Sequence, residues 1–169
     1  MDEIQERHER AVVKTFVDHR NSVYGDCLEY RGRPEGAGDA RCVRGDREVI
    51  IEETNAFDDV GHAKFKWQNA RNLPEAPKTG SGINFDRKLI GSINARLAEK
   101  CLNHYGASSI LLINVPSMVT DAARMESLLC EVELPASVPF AQIFVVGHFP
   151  WSSSSFGGYG CWQIHPKMR

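Results

Sequence analysis

Two carboxylate side chains in the first third of the chain are the strongest candidates for chemistry. Asp39 and Glu52 flank a segment with the pattern of a β-hairpin, because the four residues Arg44–Arg47 include the Gly and Asp that tight turns favour. The β-branched run Val49–Ile51 suits the second strand. Strands paired symmetrically about this turn place Asp39 opposite Glu52, with Cβ atoms roughly 4.5–5.5 Å apart. We therefore predict two carboxylates on one side of a hairpin.

Carboxylates this close repel each other unless a proton or a cation lies between them. A hard divalent cation with oxygen ligands fits the pair, Mg²⁺ first and Mn²⁺ second. Thr54 follows Glu52 by two positions and so shares its face of the strand. A slip of one residue in the pairing would turn Glu53 and Asn55 to that side instead.

This stretch resembles the PD-(D/E)xK superfamily, the restriction-endonuclease-like nucleases. The resemblance rests on Gly38-Asp39 shortly after Pro34-Glu35, and on Glu52-Glu53-Thr54 at the end of an apolar strand. It implies a restriction-endonuclease-like α/β domain over residues 1–169 and metal-dependent hydrolysis of DNA or RNA. The family's strand lysine is Thr54 here, and its hydroxyl group supplies no positive charge, so Thr54 is a candidate catalytic residue only for orienting a metal-bound water by a hydrogen bond. Without the resemblance, the acidic residues read as ordinary turn and strand positions.

The resemblance also implies roles for residues on neighbouring helices. Glu9, on a predicted helix over residues 3–20, is a candidate third acidic metal ligand. Lys64 and Lys66, on a patchier helical pattern from about 56 to 72, are candidates to replace the missing lysine. For each of these three residues, the alternative is a solvated helix face.

Five basic residues are candidate contacts to a phosphate backbone. Two lie in the turn-rich stretch 21–38, and three lie on a predicted helix from Asp86 to Tyr105: Arg31, Arg33, Lys88, Arg96 and Lys100. A solubilising surface is again the alternative. The loop 73–85, rich in Pro, Gly and Ser, is long enough to face a substrate.

The pattern of apolar residues in the second half of the chain predicts the remaining strands of the sheet that supports this hairpin. The short apolar runs 109–115 and 142–146 are typical of strands buried on both faces. A helical pattern from Thr120 to Val132 lies between them, so strand, helix and strand form a right-handed parallel unit. Residues 161–165 return as an edge strand. The predicted fold class is α/β with a mixed central sheet flanked by helices.

Composition narrows the function classes. The chain has 169 residues and a net charge of −2, so nucleic-acid binding would need a local basic patch. The five cysteines form no C-x-x-C pair, and the phosphate-loop and nucleophile-elbow motifs are absent. No apolar run is long enough to span a membrane and the N-terminus does not resemble a signal peptide, so we expect a cytoplasmic protein without a membrane partner.

Three functions remain open from the sequence. The first is a Mg²⁺- or Mn²⁺-dependent nuclease that uses Asp39 and Glu52. The second is a non-catalytic module of the same fold that binds nucleic acid or a protein partner, which the missing lysine favours. The third is a small-molecule-binding α/β domain. A homodimer is compatible with each of them.

Overall fold

The computed structural model describes residues 3–56, 85–106, 108–115, 121–149 and 158–166. In chain order these residues form α1 (Glu3–Tyr24), β1 (Leu28–Gly32), β2 (Ala40–Arg44), β3 (Arg47–Asn55), α2 (Phe85–Lys100), β4 (Ile110–Asn114), α3 (Ala122–Leu128), a 3₁₀ turn (Leu129–Glu131), β5 (Gln142–His148) and β6 (Tyr159–His165). None of the helices in these ranges is long and apolar enough to cross a membrane. The predicted helix over 56–72 and the loop 73–85 lie outside them, apart from residues 56 and 85.

The strands form one six-stranded mixed sheet whose spatial order is the chain order, β1 to β6. β1, β2 and β3 are antiparallel neighbours, β3, β4 and β5 are parallel, and β6 returns antiparallel to β5. The coarse prediction of an α/β fold with a mixed sheet and a parallel strand–helix–strand unit is therefore confirmed.

Helices cover both faces of the sheet because its central strands alternate apolar side chains between two cores. Ile110 and Leu112 of β4 belong to the core under α1, where the rings of Phe16 and Phe144 lie 5.0 Å apart. Leu111 and Ile113 belong to the core under α2 and α3. β4 is buried along its whole length, which explains its continuous apolar run.

The sequence reading missed β1, which lies in the stretch predicted to be turns. Its sequence, Leu-Glu-Tyr-Arg-Gly, buries only Leu28 and exposes Glu29 and Arg31, as expected for a strand at the edge of the sheet. Its pairing with β2 shifts register between Tyr30 and Gly32. Leu28 and Tyr30 alternate with Glu29 and Arg31, but this alternation covers only the short stretch 28–31 between Gly25 and Gly32, and glycines are typical of turns.

The helix ends also differ from the predictions. α2 ends at Lys100 and not at Tyr105, and Gly106 follows in a left-handed conformation at φ 94°. The N-cap of α3 is Asp121, whose side chain accepts a hydrogen bond from the backbone N–H of Arg124. The helix ends at Leu128, earlier than the predicted Val132, and continues as the 3₁₀ turn.

Gly38, immediately before Asp39, is a position where we expect a methyl group to be costly. Its φ is 109°, and an added Cβ would lie 2.4 Å from Cγ2 of Ile50. Gly38→Ala should lower the free energy of unfolding by about 2 kcal/mol, through backbone strain and a steric clash. Urea denaturation monitored by circular dichroism measures the change.

Two other glycines provide matched controls for this prediction. Gly45→Ala also places alanine at a positive φ, 59°, but in open space, and should cost only about 1 kcal/mol. Gly36→Ala has neither a positive φ nor a neighbour and should be close to neutral. A Gly38→Ala cost no larger than that of Gly45→Ala would contradict the prediction.

Candidate functional site

The β2–β3 hairpin has the predicted register. Val43 pairs with Glu48 and Arg41 with Ile50, and the backbone N–H of Asp39 donates to the carbonyl of Ile51 at 2.9 Å. The Asp39 side chain does not continue the pleat of β2, which begins one residue later. Its Oδ2 instead accepts a hydrogen bond from the backbone N–H of Glu53, at 2.8 Å. Asp39 thus lies at the end of the strand, beside both glutamates of β3.

The Glu52 carboxylate accepts hydrogen bonds on the side of the sheet that α2 covers. Its Oε1 accepts hydrogen bonds from Nζ of Lys100 at 2.6 Å and from the hydroxyl of Tyr105 at 3.3 Å. Burial raises the pKa of Glu52, and the bond from Lys100 opposes that shift. Thr54 lies on the same face by strand alternation. The carboxylate predicted to bind a metal is therefore the acceptor of an ion pair.

Glu53 lies on the other face, beside α1. It is only 6% exposed and follows Ile51, which packs in the α1 core. Glu9 of α1 is 7% exposed and acts electrostatically on Glu53, as does Asp39. Burial, reinforced by these two negative charges, raises the pKa of Glu53 to about 8. Three carboxyl groups, those of Glu9, Asp39 and Glu53, therefore lie within electrostatic range of one another on the α1 side of the sheet.

Two oxygens of this acidic cluster (Glu9, Asp39 and Glu53) lack a donor. Nε2 of Gln5 donates to Oε1 of Glu9 at 2.8 Å, and Nδ2 of Asn55 lies 3.4 Å from Oε2 of Glu53. The remaining oxygens, Oε2 of Glu9 and Oε1 of Glu53, are buried and have no hydrogen-bond partner among the described residues. Buried acceptors without donors are uncommon and costly, so both oxygens are candidate positions for a bound proton or cation.

The structure separates two members of the predicted ligand set Asp39, Glu52 and Glu9, and metal binding by Asp39 and Glu52 stays a prediction. Glu52 and Glu9 lie on opposite sides of the sheet, since one contacts α2 and the other belongs to α1. Among the described residues, no three His, Cys, Asp or Glu side chains are arranged to hold a metal ion together. Asp39 accepts a hydrogen bond from the backbone of Glu53 and acts electrostatically on Glu9, Glu52 and Glu53.

A polar network adjoins the acidic cluster where β3 and β4 end. Asn55 and Asn114 are register partners on these parallel strands, and Nδ2 of Asn114 donates to Oδ1 of Asn55 at 2.8 Å. Nε2 of His8 lies 3.2 Å from the same oxygen. Because Nδ2 of Asn55 lies 3.4 Å from Oε2 of Glu53, Asn55 links His8 and Asn114 to Glu53.

A pocket of about 220 Å³ opens beside the cluster between α1 and β1. It is lined by Glu6, Glu9, Arg10, Tyr30, Gly32, Arg33 and Asp39. A guanidinium nitrogen of Arg33 lies 3.5 Å from Oδ1 of Asp39, and Arg10 lies over the ring of Tyr30 at 5.8 Å from its centroid. Asp39 and Glu9 of the acidic cluster therefore border a solvent-accessible pocket beside two cationic side chains, whereas Glu53 lies deeper and does not line it.

The predicted phosphate contacts have different environments. Arg33 belongs to the pocket, whereas Arg31 pairs with Glu29 and Arg96 pairs with Glu99 on the surface. Lys88 is exposed on α2. Lys100 is held by Glu52, and its side chain is only 20% exposed, so a phosphate would have to compete with a buried carboxylate for it.

Lys64 and Lys66 lie outside the described residues, so their role as replacement lysines stays a prediction. The sequence reading named Glu53 and Asn55 only as the outcome of a register slip, and it missed His8 and Asn114. The strand is buried on both faces, so its pattern does not indicate which of two adjacent glutamates faces α1.

Comparisons of the chain with protein-family models, with curated proteins and with solved structures found no significant match.

Proposed function

We propose that the protein is a metal-dependent phosphodiester hydrolase that acts on nucleic acid. The observation that carries the proposal is Glu53, a buried carboxyl group beside Asp39 with one oxygen that no described residue satisfies. The order of elements, a helix, three antiparallel strands, a helix and a parallel strand, agrees with the restriction-endonuclease-like fold that the sequence resembles. Asp39, Glu53 and Asn55 have the spacing of that family's motif, with Asn in place of Lys.

The donor set fits Mg²⁺ or Mn²⁺. Mg²⁺ is commonly held by one or two protein carboxylates, with waters and substrate phosphates completing its octahedron, so Asp39 and Glu53 suffice and Glu9 adds charge nearby. When bound, the ion lowers the pKa of a coordinated water and neutralises charge on the phosphate. Glu52 does not belong to this site in our proposal, and Thr54 contributes no ligand.

The chain's own cations support the proposal at the same end of the sheet. Arg33, whose side chain is 39% exposed, lines the pocket at Asp39 and has the planar donor fork that suits a phosphate. Lys100 acts electrostatically on Asp39 and Glu53 across the sheet while Glu52 holds its ammonium group in place. The positive charges of Arg33 and Lys100 reduce the repulsion between the acidic cluster and an approaching polyanion.

A cleavage assay tests the proposal. Wild-type protein with Mn²⁺ should cut plasmid or single-stranded DNA or RNA. Asp39→Asn and Glu53→Gln should each lower the rate by at least about 10²-fold, the scale of losing one preorganised charge-stabilising group. Glu52→Gln should lower it less, because it leaves Asp39 and Glu53 intact. Glu48→Gln, at an exposed position of the same strand, should have no effect.

Two outcomes would reject parts of the proposal. Cleavage that survives both Asp39→Asn and Glu53→Gln would show that the activity arises elsewhere. A larger loss for Glu52→Gln than for Glu53→Gln would reassign the site to the α2 side of the sheet.

The second candidate is a non-catalytic module that binds nucleic acid. One observation favours it: Thr54 and Asn55 occupy the two positions where a strand lysine would follow the glutamates, so β3 carries no cation there. Binding of single-stranded or duplex nucleic acid without any cleavage in Mn²⁺ would support this module over the hydrolase.

A further inference from the structure

Both the oxygen and the nitrogen of the Asn55 side-chain amide make polar contacts with neighbouring side chains. Its Oδ1 receives the hydrogen bond from Asn114 at 2.8 Å and lies 3.2 Å from Nε2 of His8. Its Nδ2 donates to Oε2 of Glu53 at 3.4 Å. An amide has one acceptor end and one donor end, so a donor fixed at Oδ1 turns Nδ2 toward Glu53.

Asn114 is the residue that sets this orientation. It is 8% exposed, and its backbone carbonyl also accepts the N–H of Ala56, which locks the ends of β3 and β4 together. Its amide donor is therefore presented to Asn55 by two strands in fixed register. The single bond from Asn55 to Oε2 leaves Oε1 of Glu53 as the oxygen without a described donor.

We propose that Asn114 is a positioning residue for the cation site: through Asn55 it orients the Glu53 carboxyl group so that Oε1 faces the ion. This inference rests on the proposed function, because it requires that Glu53 bind a divalent cation. Residues that orient a metal ligand through a hydrogen bond typically change metal affinity by 10–100-fold when they are removed. Asn114 itself touches neither the ion nor a substrate in this scheme.

A purely structural role for the same residue has a different signature. If Asn114 only ties β4 to β3, its loss should lower the free energy of unfolding without a specific change in the Mn²⁺ affinity of the folded protein. If it acts through Asn55, its effect on cation affinity should vanish once the Asn55 amide has been removed. A double-mutant cycle on metal affinity separates the two.

The experiment is calorimetric titration of the metal-free protein with Mn²⁺. The variants are Asn114→Leu, which keeps a similar volume without a donor, Asn55→Ala, and the two combined. Each single variant should weaken Mn²⁺ binding by about 10–100-fold, and the double variant should be no weaker than the weaker single one. Asn103→Leu, an exposed asparagine after α2, makes the same chemical change elsewhere and should leave Mn²⁺ affinity unchanged. Thermal unfolding in a chelator establishes that each variant is folded.

The outcomes distinguish a failure of the positioning role of Asn114 from a failure of the proposed cation site. Mn²⁺ affinity within twofold of wild type for Asn114→Leu, or losses that multiply in the double variant, would overturn the positioning role while the cation site stands. Wild-type protein that binds no Mn²⁺, or binds it equally well as Glu53→Gln, would overturn the cation site and the positioning role together.

Discussion

Glu53→Gln should make the metal-free protein more stable by about 4 kcal/mol at pH 8. Glu53 has an ordinary pKa of 4.5 in the unfolded chain, and burial, with the charges of Asp39 and Glu9, raises it to about 8 in the folded protein. The stability of wild type relative to Glu53→Gln is fully present below pH 4.5. It is lost as the pH rises toward 8, because the folded wild-type protein must then hold Glu53 as a buried anion. Glutamine keeps the shape without that ionisation.

The measurement is urea denaturation from pH 4.5 to 8.5 in the presence of a chelator. The difference between Glu53→Gln and wild type should be close to zero at pH 4.5 and grow steadily toward pH 8. Glu48→Gln, whose side chain is 59% exposed, should show no such trend. A stability difference that does not depend on pH would mean that Glu53 is not buried beside negative charge.

Loss of Lys100 should have an effect of similar size and opposite sign. Lys100→Met removes the cation that is 2.6 Å from Oε1 of Glu52, a side chain only 9% exposed. Among the described residues, the remaining buried carboxylate keeps the Tyr105 hydroxyl as a donor but loses its cation, and we expect the free energy of unfolding to fall by about 3 kcal/mol at pH 7. Because burial raises the pKa of Glu52, the loss should be larger at pH 8 than at pH 5.

A second variant shows whether the cost comes from the uncompensated charge. Adding Glu52→Gln to Lys100→Met should restore most of the lost stability, since the buried carboxylate that lost its cation is then replaced by a neutral amide. Arg96→Met removes an exposed ion pair with Glu99 on the same helix and should cost less than about 0.5 kcal/mol. Equal losses for Lys100→Met and Arg96→Met would contradict the buried-pair explanation.

The register of the hairpin could be predicted because a short turn determines every pairing beyond it. The face on which each carboxylate acts could not. Gly38 has a positive φ, and the Asp39 side chain bonds to the backbone of Glu53 instead of following the pleat. A simple count of strand positions places Asp39 opposite Glu52, on which Asp39 does act electrostatically, but it gives no sign of the side-chain bond to the backbone of Glu53.

The polar network was beyond sequence reasoning for another physical reason. Asn55 and Asn114 meet because β3 and β4 are parallel neighbours, and their register depends on how the intervening helix packs. Parallel pairing has no turn that fixes it locally. Asn114 ends an apolar strand and is unremarkable in sequence until its partner is known.

The edge strand β1 limits how two copies of the protein can associate. A free strand edge invites another chain to extend the sheet, and soluble proteins commonly block such edges with charges and irregular pairing. β1 has both: Glu29 and Arg31 are exposed along it, and its register is broken between Tyr30 and Gly32. Sheet extension across this edge is therefore disfavoured, both for a homodimer and for ordered aggregates that grow by strand addition.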